Sequence, residues 1–524
     1  MKQKNYKDYL ANMVPCIGYG LLTGIFTGGT IFLFKFLAGR AETWSRTIYG
    51  WAKGSILTII LVFAVLIALA VLMSRIHKAV PECKGGGIPR SEGILRGILP
   101  FRPLRTLLAT FFGSMISFFA GLPCGSEGPA VLIGTSLGSI TGKTSKKHLA
   151  LDRYIMTGGA GAGFAVATGA PLSGILFALE EIHKRFSPML VLTISMAVLS
   201  ATGTNYLLCS AFDMNPALFH LETLPTFELS HVGYLLLLGI FIALAVALFD
   251  GSILLFRKFT SKRKKGPVSV ALIVTFVLTG ILCFFLADGV YSGHHMIDHI
   301  LTHTPGFGLL LALFAIRLAM MLLVTDSGAT GGIFIPTLAI GALAAALTAK
   351  LLVLLGMPAE LSSLMIFLGM CAFIGGTLRA PLTASVLFVE LSGQFTGLFY
   401  IAVAVFVVSL VTELFNQTPF YDKALEEMTE AHHHGKQMKI SRFTLIVSPG
   451  DFVVGKSVRD IMWPHTSVIE SISHAGSHVL EEMDDGEQRL YAGDKVTIRA
   501  AYYDKEEILK LLLGLAGDDV EIEE

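Results

Sequence analysis

Apolar runs long enough to cross the hydrocarbon core of a bilayer, about 20 residues each, recur in this chain from Val14 to about Phe415. Val14–Phe36, Ser55–Met73, Tyr234–Phe256 and Val268–Phe285 are the clearest of them. No other feature restricts the fold as strongly, because backbone polar groups in hydrocarbon must bond to one another and a long apolar segment does this as a helix. Composition agrees. Of the 524 residues, 53% are hydrophobic and 15% are charged, whereas a soluble domain carries about a quarter charged residues. A polar segment precedes the first run and many runs follow it, so we read that run as a membrane span rather than a cleavable export signal. Lys2, Lys4 and Lys7, Arg257-Lys258 with Lys262–Lys265, and Lys143-Lys146-Lys147 mark the sides expected to face the cytoplasm. The net charge of +1 points to no partner. Six scattered cysteines show no paired metal spacing and read as reduced packing residues.

Near residue 425 the chain changes character. Residues 1–428 read as the membrane domain. Thr429–Lys439, with its tract His432-His433-His434, reads as a polar linker. Residues 440–517 alternate short β-rich stretches (Phe443–Val447, Ser467–Ile472, Val496–Ala500) with helical patterning at Val458–Met462 and Lys505–Leu513. This describes a small α/β appendage, and Asp518–Glu524 reads as a solvated acidic tail. Gly450-Asp451-Phe452-Val453-Val454-Gly455-Lys456-Ser457 fits a phosphate-loop pattern. That loop needs a full α/β domain after it, and about 70 residues remain here, so we take the match as coincidence. His294, His295, His299 and His303 cluster in an expected loop, where their spacing defines no tetrahedral metal site.

The membrane region repeats itself. Ala170-Pro171-Leu172-Ser173 and Ala380-Pro381-Leu382-Thr383 lie 210 residues apart, and each is followed by a glutamate ten positions after the alanine, Glu180 and Glu390. Upstream, Pro129–Gly134 pairs with Pro336–Gly341. Such repeats mark transporters whose halves meet at a midplane substrate site. Whether the halves are inverted depends on the parity of the spans between them.

Three glycine-rich turns precede apolar helices: Gly85-Gly86-Gly87-Ile88-Pro89, Gly125-Ser126-Glu127-Gly128-Pro129 and Gly331-Gly332-Ile333-Phe334-Ile335-Pro336. Proline suits a first helical turn, and glycine lets backbone approach a ligand closely. Free amides at the positive end of a helix favour an anion. Close helix packing by small residues is the competing explanation, and three such turns, each with proline, weigh against it. Glu127 is the sharpest residue, since an acid at such a helix start competes with the anion for the same amides and can leave when protonated. Glu180 and Glu181 form a second acidic point beside His183-Lys184-Arg185, readable as a helix-end charge pair. An enzyme would need a nucleophile–base or metal constellation, and among His and Cys only Cys124 adjoins these turns; we expect no catalysis.

These segments, in this order and spacing, resemble the CLC family of chloride channels and proton-coupled chloride antiporters over roughly residues 15–428. The resemblance implies an all-α polytopic membrane protein with two inverted repeats, a homodimer in the bacterial plasma membrane with cytoplasmic termini, moving chloride and protons without a cofactor. It implies that Glu127 is the external gate and outer proton acceptor. Ile333 and Phe334 would offer amides to the central anion, Tyr421 its hydroxyl, and Glu181 would be the inner proton-transfer glutamate. Retention of Glu181 favours exchange over a passive channel. Gly86 departs from the family's central serine, whose hydroxyl would donate to the anion. Loss of that donor weakens central binding by about 1–3 kcal/mol and leaves chloride, nitrate and fluoride all to be weighed. The 440–517 segment, with Gly455-Lys456-Ser457, Ser467-Val468-Ile469 and Tyr491–Val496, resembles the TrkA-C (RCK-C) regulatory module. Such modules dimerise and some bind cyclic di-AMP, so the resemblance implies either a cyclic di-AMP sensor or a dimer-stabilising domain without ligand.

Overall fold

The structure, a computed structural model, describes residues 2–523 except 143–148, 185, 217, 220–224, 226–227, 261–268, 416–417, 434–436, 462, 465–466, 476–480, 483–485 and 518–519. The basic clusters at 143–147 and 262–265, together with Arg185, His434, Met462 and the start of the acidic tail, therefore lie outside the described residues.

The apolar runs form helices. The first half contains α1 (Lys2–Ala52), α2 (Ile56–Ala79), α3 (Ile88–Leu95), α4 (Pro103–Ala120), α5 (Glu127–Gly142), α6 (Leu149–Thr168), α7 (Pro171–Phe177) and α8 (Pro188–Ala211). The second contains α9 (Val232–Thr260), α10 (Val270–Phe285), α11 (His294–Thr302), α12 (Phe307–Ser327), α13 (Phe334–Leu354), α14 (Ser362–Leu378), α15 (Pro381–Ser392) and α16 (Leu398–Leu414). Then α17 (Phe420–His432) leads out of the bundle. Among the described residues, nine helices are long and apolar enough to cross a membrane. Of the others, α3 and α7 are the shortest, with eight and seven residues. Proline occupies the first turn of α3, α4, α7, α8 and α15, where its missing N–H costs nothing.

The sequence repeat proves to be a physical clasp. Glu390, at the end of α15, accepts hydrogen bonds from Leu172 N (2.7 Å), Ser173 N (2.7 Å) and the Ser173 hydroxyl (2.6 Å) at the start of α7. Glu180, one turn beyond α7, accepts from Leu382 N (3.1 Å), Thr383 N (2.8 Å) and the Thr383 hydroxyl (2.7 Å) at the start of α15. Each carboxylate thus caps the orphan amides of the other repeat's helix. C-terminal acids can reach each other's N-termini only if the two helices lie antiparallel, so the repeats are inverted. Glu180 is therefore a cap, where its position next to Glu181 had suggested a surface charge pair. Within the second half, α13 and α14 form the most buried pair, and 89% of the apolar window around α14 is buried.

Of the histidines expected in a loop, His294, His295 and His299 lie on α11, launched by Gly293 at φ 106°, and His303 caps its end. His294 packs on Phe219 (5.5 Å) and bonds Ser292 (3.0 Å). The expected linker is also shorter than its polarity suggested, because α17 continues through His432 and the first strand starts at Lys439.

Beyond it lies one antiparallel sheet, ordered β3-β2-β4-β1-β5, made of β1 (Lys439–Ile446), β2 (Ser467–Ser473), β3 (Glu481–Glu482), β4 (Lys495–Tyr502) and β5 (Val520–Glu523), with α18 (Lys505–Leu513) packed on it. Alternation builds its core: Phe443 and Leu445 on β1 and Val496, Ile498 and Ala500 on β4 are fully buried. The acidic tail, read as solvated, is an edge strand instead. Val520 and Ile522 alternate with Glu521 and Glu523 and pair with β1, a period of two that the charge concealed. Among its described residues, the stretch expected to be helical at Val458–Met462 forms a 3₁₀ turn, Val458–Asp460. Lys456, from the phosphate-loop match, is turned inward over the Phe452 ring, and burial pushes its ammonium pKa well below the ordinary lysine value. The sheet unit rests on the helices: the Tyr154 hydroxyl of α6 donates to the Asp460 carbonyl (2.6 Å), and Tyr503 stacks on His433 (4.3 Å).

If the clasps hold the two inverted halves together, Glu180→Ala and Glu390→Ala each remove a charged acceptor of three bonds. Each should cost about 2 kcal/mol and lower the thermal midpoint of the purified protein by similar amounts. A loss confined to one of the two variants would contradict the symmetric reading.

Candidate functional site

The three glycine turns meet at one place. Gly125 and Gly332 exchange hydrogen bonds as an isolated antiparallel bridge, N to O at 2.6 and 2.8 Å. Gly85 N donates to Gly328 O (3.1 Å), and Gly331 N donates to Gly85 O (3.3 Å). The approach is so close that side chains are excluded. A Cβ on Gly128 would sit 1.7 Å from Gly86 O, and one on Gly87 would sit 2.3 Å from Gly128 O, with Gly87 already at φ 85°. Gly86 differs. A Cβ there would meet Ile333 and Gly331 at 3.8 Å, an ordinary contact, so the position has room for a serine and lacks its hydroxyl for no steric reason.

This knot brings the starts of α3, α5 and α13 together. Ile88 and Pro89 open α3, Glu127, Gly128 and Pro129 open α5, and Phe334, Ile335 and Pro336 open α13 behind Ile333. The first bond closing α5 runs from Ala130 N to Ser126 O, and that closing α13 runs from Thr337 N to Ile333 O. The amides of Glu127, Gly128, Ile333, Phe334 and Ile335 therefore have no intrahelical acceptor, and each helix presents its positive end to the joint.

The carboxylate of Glu127, fully buried, occupies this joint. One oxygen accepts from the Ser126 hydroxyl (3.0 Å). The other folds back over Gly125, within 2.4 Å of where a Cβ would stand, and faces the Ile335 amide. It makes no well-formed hydrogen bond among the described residues. Tyr421, in the first turn of α17, is 1% exposed with its hydroxyl unpartnered among the described residues. It lies close enough to both Glu127 and Glu181 to feel their charges. Glu181 is 3% exposed on a π-helical turn, Ala178–His183, that follows α7 and ends at Lys184 in the left-handed region. The structure thus brings the glycine turns and Glu127 to one joint, with Tyr421 within electrostatic reach of both Glu127 and Glu181.

Several charged groups around this line escaped the sequence reading. Glu92 of α3, fully buried, pairs with Arg96 (2.5 Å) and with Lys184 (3.2 Å), and Lys184 also pairs with Asp422, the residue after Tyr421. All of these cluster around Glu181 except Arg96, which acts through Glu92. On the opposite side, Lys35 of α1 donates to Val166 O (3.1 Å) and interacts electrostatically with Glu127. Thr23 of α1 bonds Thr141 near the end of α5 (2.6 Å). Twelve residues further along, ~18 Å at 1.5 Å per residue, Lys35 reaches the level of Glu127. A lone lysine inside the first apolar run was the available signal.

Chemically, opposed helix N-termini around a buried carboxylate suit a small anion. A second buried acid, Glu181, lies within electrostatic reach of the Tyr421 phenol.

Comparison with known proteins agrees with this geometry. Residues 68–413 match the family model described as voltage gated chloride channel. The H(+)/Cl(-) exchange transporter ClcA of Vibrio cholerae serotype O1 (strain M66-2) is 30% identical over 361 residues, 67% of this chain and 75% of that protein. ClcA of Vibrio vulnificus (strain YJ016) is 29% identical over 415 residues, 77% of this chain and 88% of that protein. The crystal structure of a slow cyanobacterial Cl-/H+ antiporter superposes with a TM-score of 0.72 at 26% identity, covering 80% of this chain and 98% of that one. From its paired glycine turns to its inverted halves, this chain belongs to the voltage-gated chloride channel family.

Proposed function

We propose that the protein exchanges chloride for protons across the bacterial plasma membrane. The single observation that carries this reading is the Glu127 carboxylate lying in the joint between the N-termini of α5 and α13. There an ionised acid and an anion compete for the same amides, and protonation frees the site. In this scheme chloride is held by the amides of Ile333 and Phe334 and by the Tyr421 hydroxyl, beside the backbone of Gly86. Protons pass between Glu127 and Glu181 on either side of Tyr421. The relatives named as H(+)/Cl(-) exchangers support the pairing of the two ions. Chloride is the first choice of anion over nitrate or fluoride, and the missing hydroxyl at Gly86 makes its central site weaker than a serine would.

Proteoliposomes test this directly. A chloride gradient should drive proton uptake in the wild type. In Glu127→Ala chloride flux should persist while proton movement falls to background, and in Glu181→Gln coupling should be lost in the same way. Chloride flux in the wild type without proton movement would leave a passive channel as the correct reading.

We also propose that the chain works as a dimer and that its C-terminal sheet unit is a TrkA-C-like sensor of cyclic di-AMP. Exposed apolar side chains on α7, α8, α15 and α16, including Leu172, Leu199, Leu382 and Phe406, support a face for a second copy. Light scattering and thermal denaturation of the full-length protein test both parts. A dimer whose midpoint rises with the nucleotide is expected; a monomer defeats the first part, and no shift at millimolar nucleotide defeats the second.

A further inference from the structure

A cavity of about 620 Å³ lies between the helices and the C-terminal sheet unit. On the helix side it is walled by Arg96, Lys184 and Asp422, and on the sheet side by Tyr503, Asp504 and Glu507. Two of the helix-side walls touch the candidate site. Asp422 follows Tyr421 in the chain, and Lys184 bridges Asp422 to the buried Glu92. Glu181 lies within electrostatic reach of all three. The cavity therefore lies against residues that flank Tyr421 and Glu181 in the chain.

Its charge is unbalanced. Beyond Asp422, Asp504 and Glu507, it is lined by Glu426 and Glu430, against the cations of Arg96 and Lys184. Both of those cations are already engaged, Arg96 with Glu92 and Lys184 with Glu92 and Asp422. With Asp422 paired to Lys184, the carboxylates of Glu426, Glu430 and Glu507 leave the lining negative. The sheet unit is held against this opening by the Tyr154 bond to Asp460 and the Tyr503 stack on His433, so its acidic side chains form a fixed wall.

We propose that this cavity is the inner antechamber of the ion pathway, and that the C-terminal unit, through Glu507 on α18, sets its electrostatic potential. The inference rests on the reading of the site as an anion pathway. A negative wall in a confined, low-dielectric mouth lowers the local concentration of anions and raises that of protons. The sheet unit then tunes transport from the ion path itself. Chloride arriving from this side meets a weakened supply at low salt, and the handicap fades as added salt screens the wall.

Charge substitution by labelling tests this in the full-length protein. All six native cysteines are buried, which makes the wild type a quiet background for membrane-impermeant thiol reagents. Glu507→Cys is reconstituted in proteoliposomes and treated on both faces with a cationic or an anionic methanethiosulfonate, and labelling is verified by mass. Chloride flux is then measured at subsaturating chloride and low ionic strength. The expected result is flux about two- to threefold above wild type with the cationic label, a return to wild type with the anionic label, and loss of the difference at high salt. Lys495→Cys, exposed on the sheet and outside the cavity lining, should respond to neither label. Flux that ignores the charge of the label at Glu507→Cys, or falls equally with both, overturns the antechamber while leaving the chloride pathway intact. A wild type that carries no chloride overturns the pathway and this inference with it.

Discussion

Backbone amides without partners are costly at membrane depth, and the architecture follows from how this chain handles them. The amides opening α5 and α13 have no intrahelical acceptor, and hydrocarbon offers none. They must therefore face an enclosed polar site, and the enclosure is made by glycine backbone packed so closely that Gly128 and Gly87 admit no Cβ. What can occupy such a site is limited to something small and negative. In this structure it is the Glu127 carboxylate.

The same constraint recurs in a second form at α7 and α15. Their starts are also interrupted helices, and there the amides are closed by Glu390 and Glu180 from the opposite repeat. One pair of N-termini is closed by carboxylates of the opposite repeat that accept three bonds each, and the other holds the Glu127 carboxylate, a first-turn residue with one well-formed bond. Under the proposed function the first pair are fasteners and the second is the gate. The C-terminal unit adds a third layer, since it walls one side of the cavity that Asp422 and Lys184 line.

Local backbone demands were legible in the sequence. Glycine and proline spacing announced the three turns because each residue type there answers a steric need, and the two Ala-Pro-Leu segments announced the repeat. Long-range partnerships were not legible. The ten-residue spacing to Glu180 and Glu390 was visible, but their reciprocal capping needs two segments 210 residues apart to lie antiparallel. Glu92 and Asp422 come from two other elements, and only folding brings them to Lys184 and Glu181. Two misreadings have a common cause. Polarity was equated with loop at His294–His303, which is largely α11, and at Asp518–Glu524, where β5 hides an apolar alternation under acidic side chains.

The central claim is that the joint of α5 and α13 is an anion site on which Glu127 competes. Crystals of Glu127→Gln soaked in bromide measure this most directly, through anomalous scattering. Bromide should appear between the amides of Ile333 and Phe334 and the Tyr421 hydroxyl, with occupancy at the emptied Glu127 position as well. An ordered joint containing no bromide at saturating concentration would contradict the account.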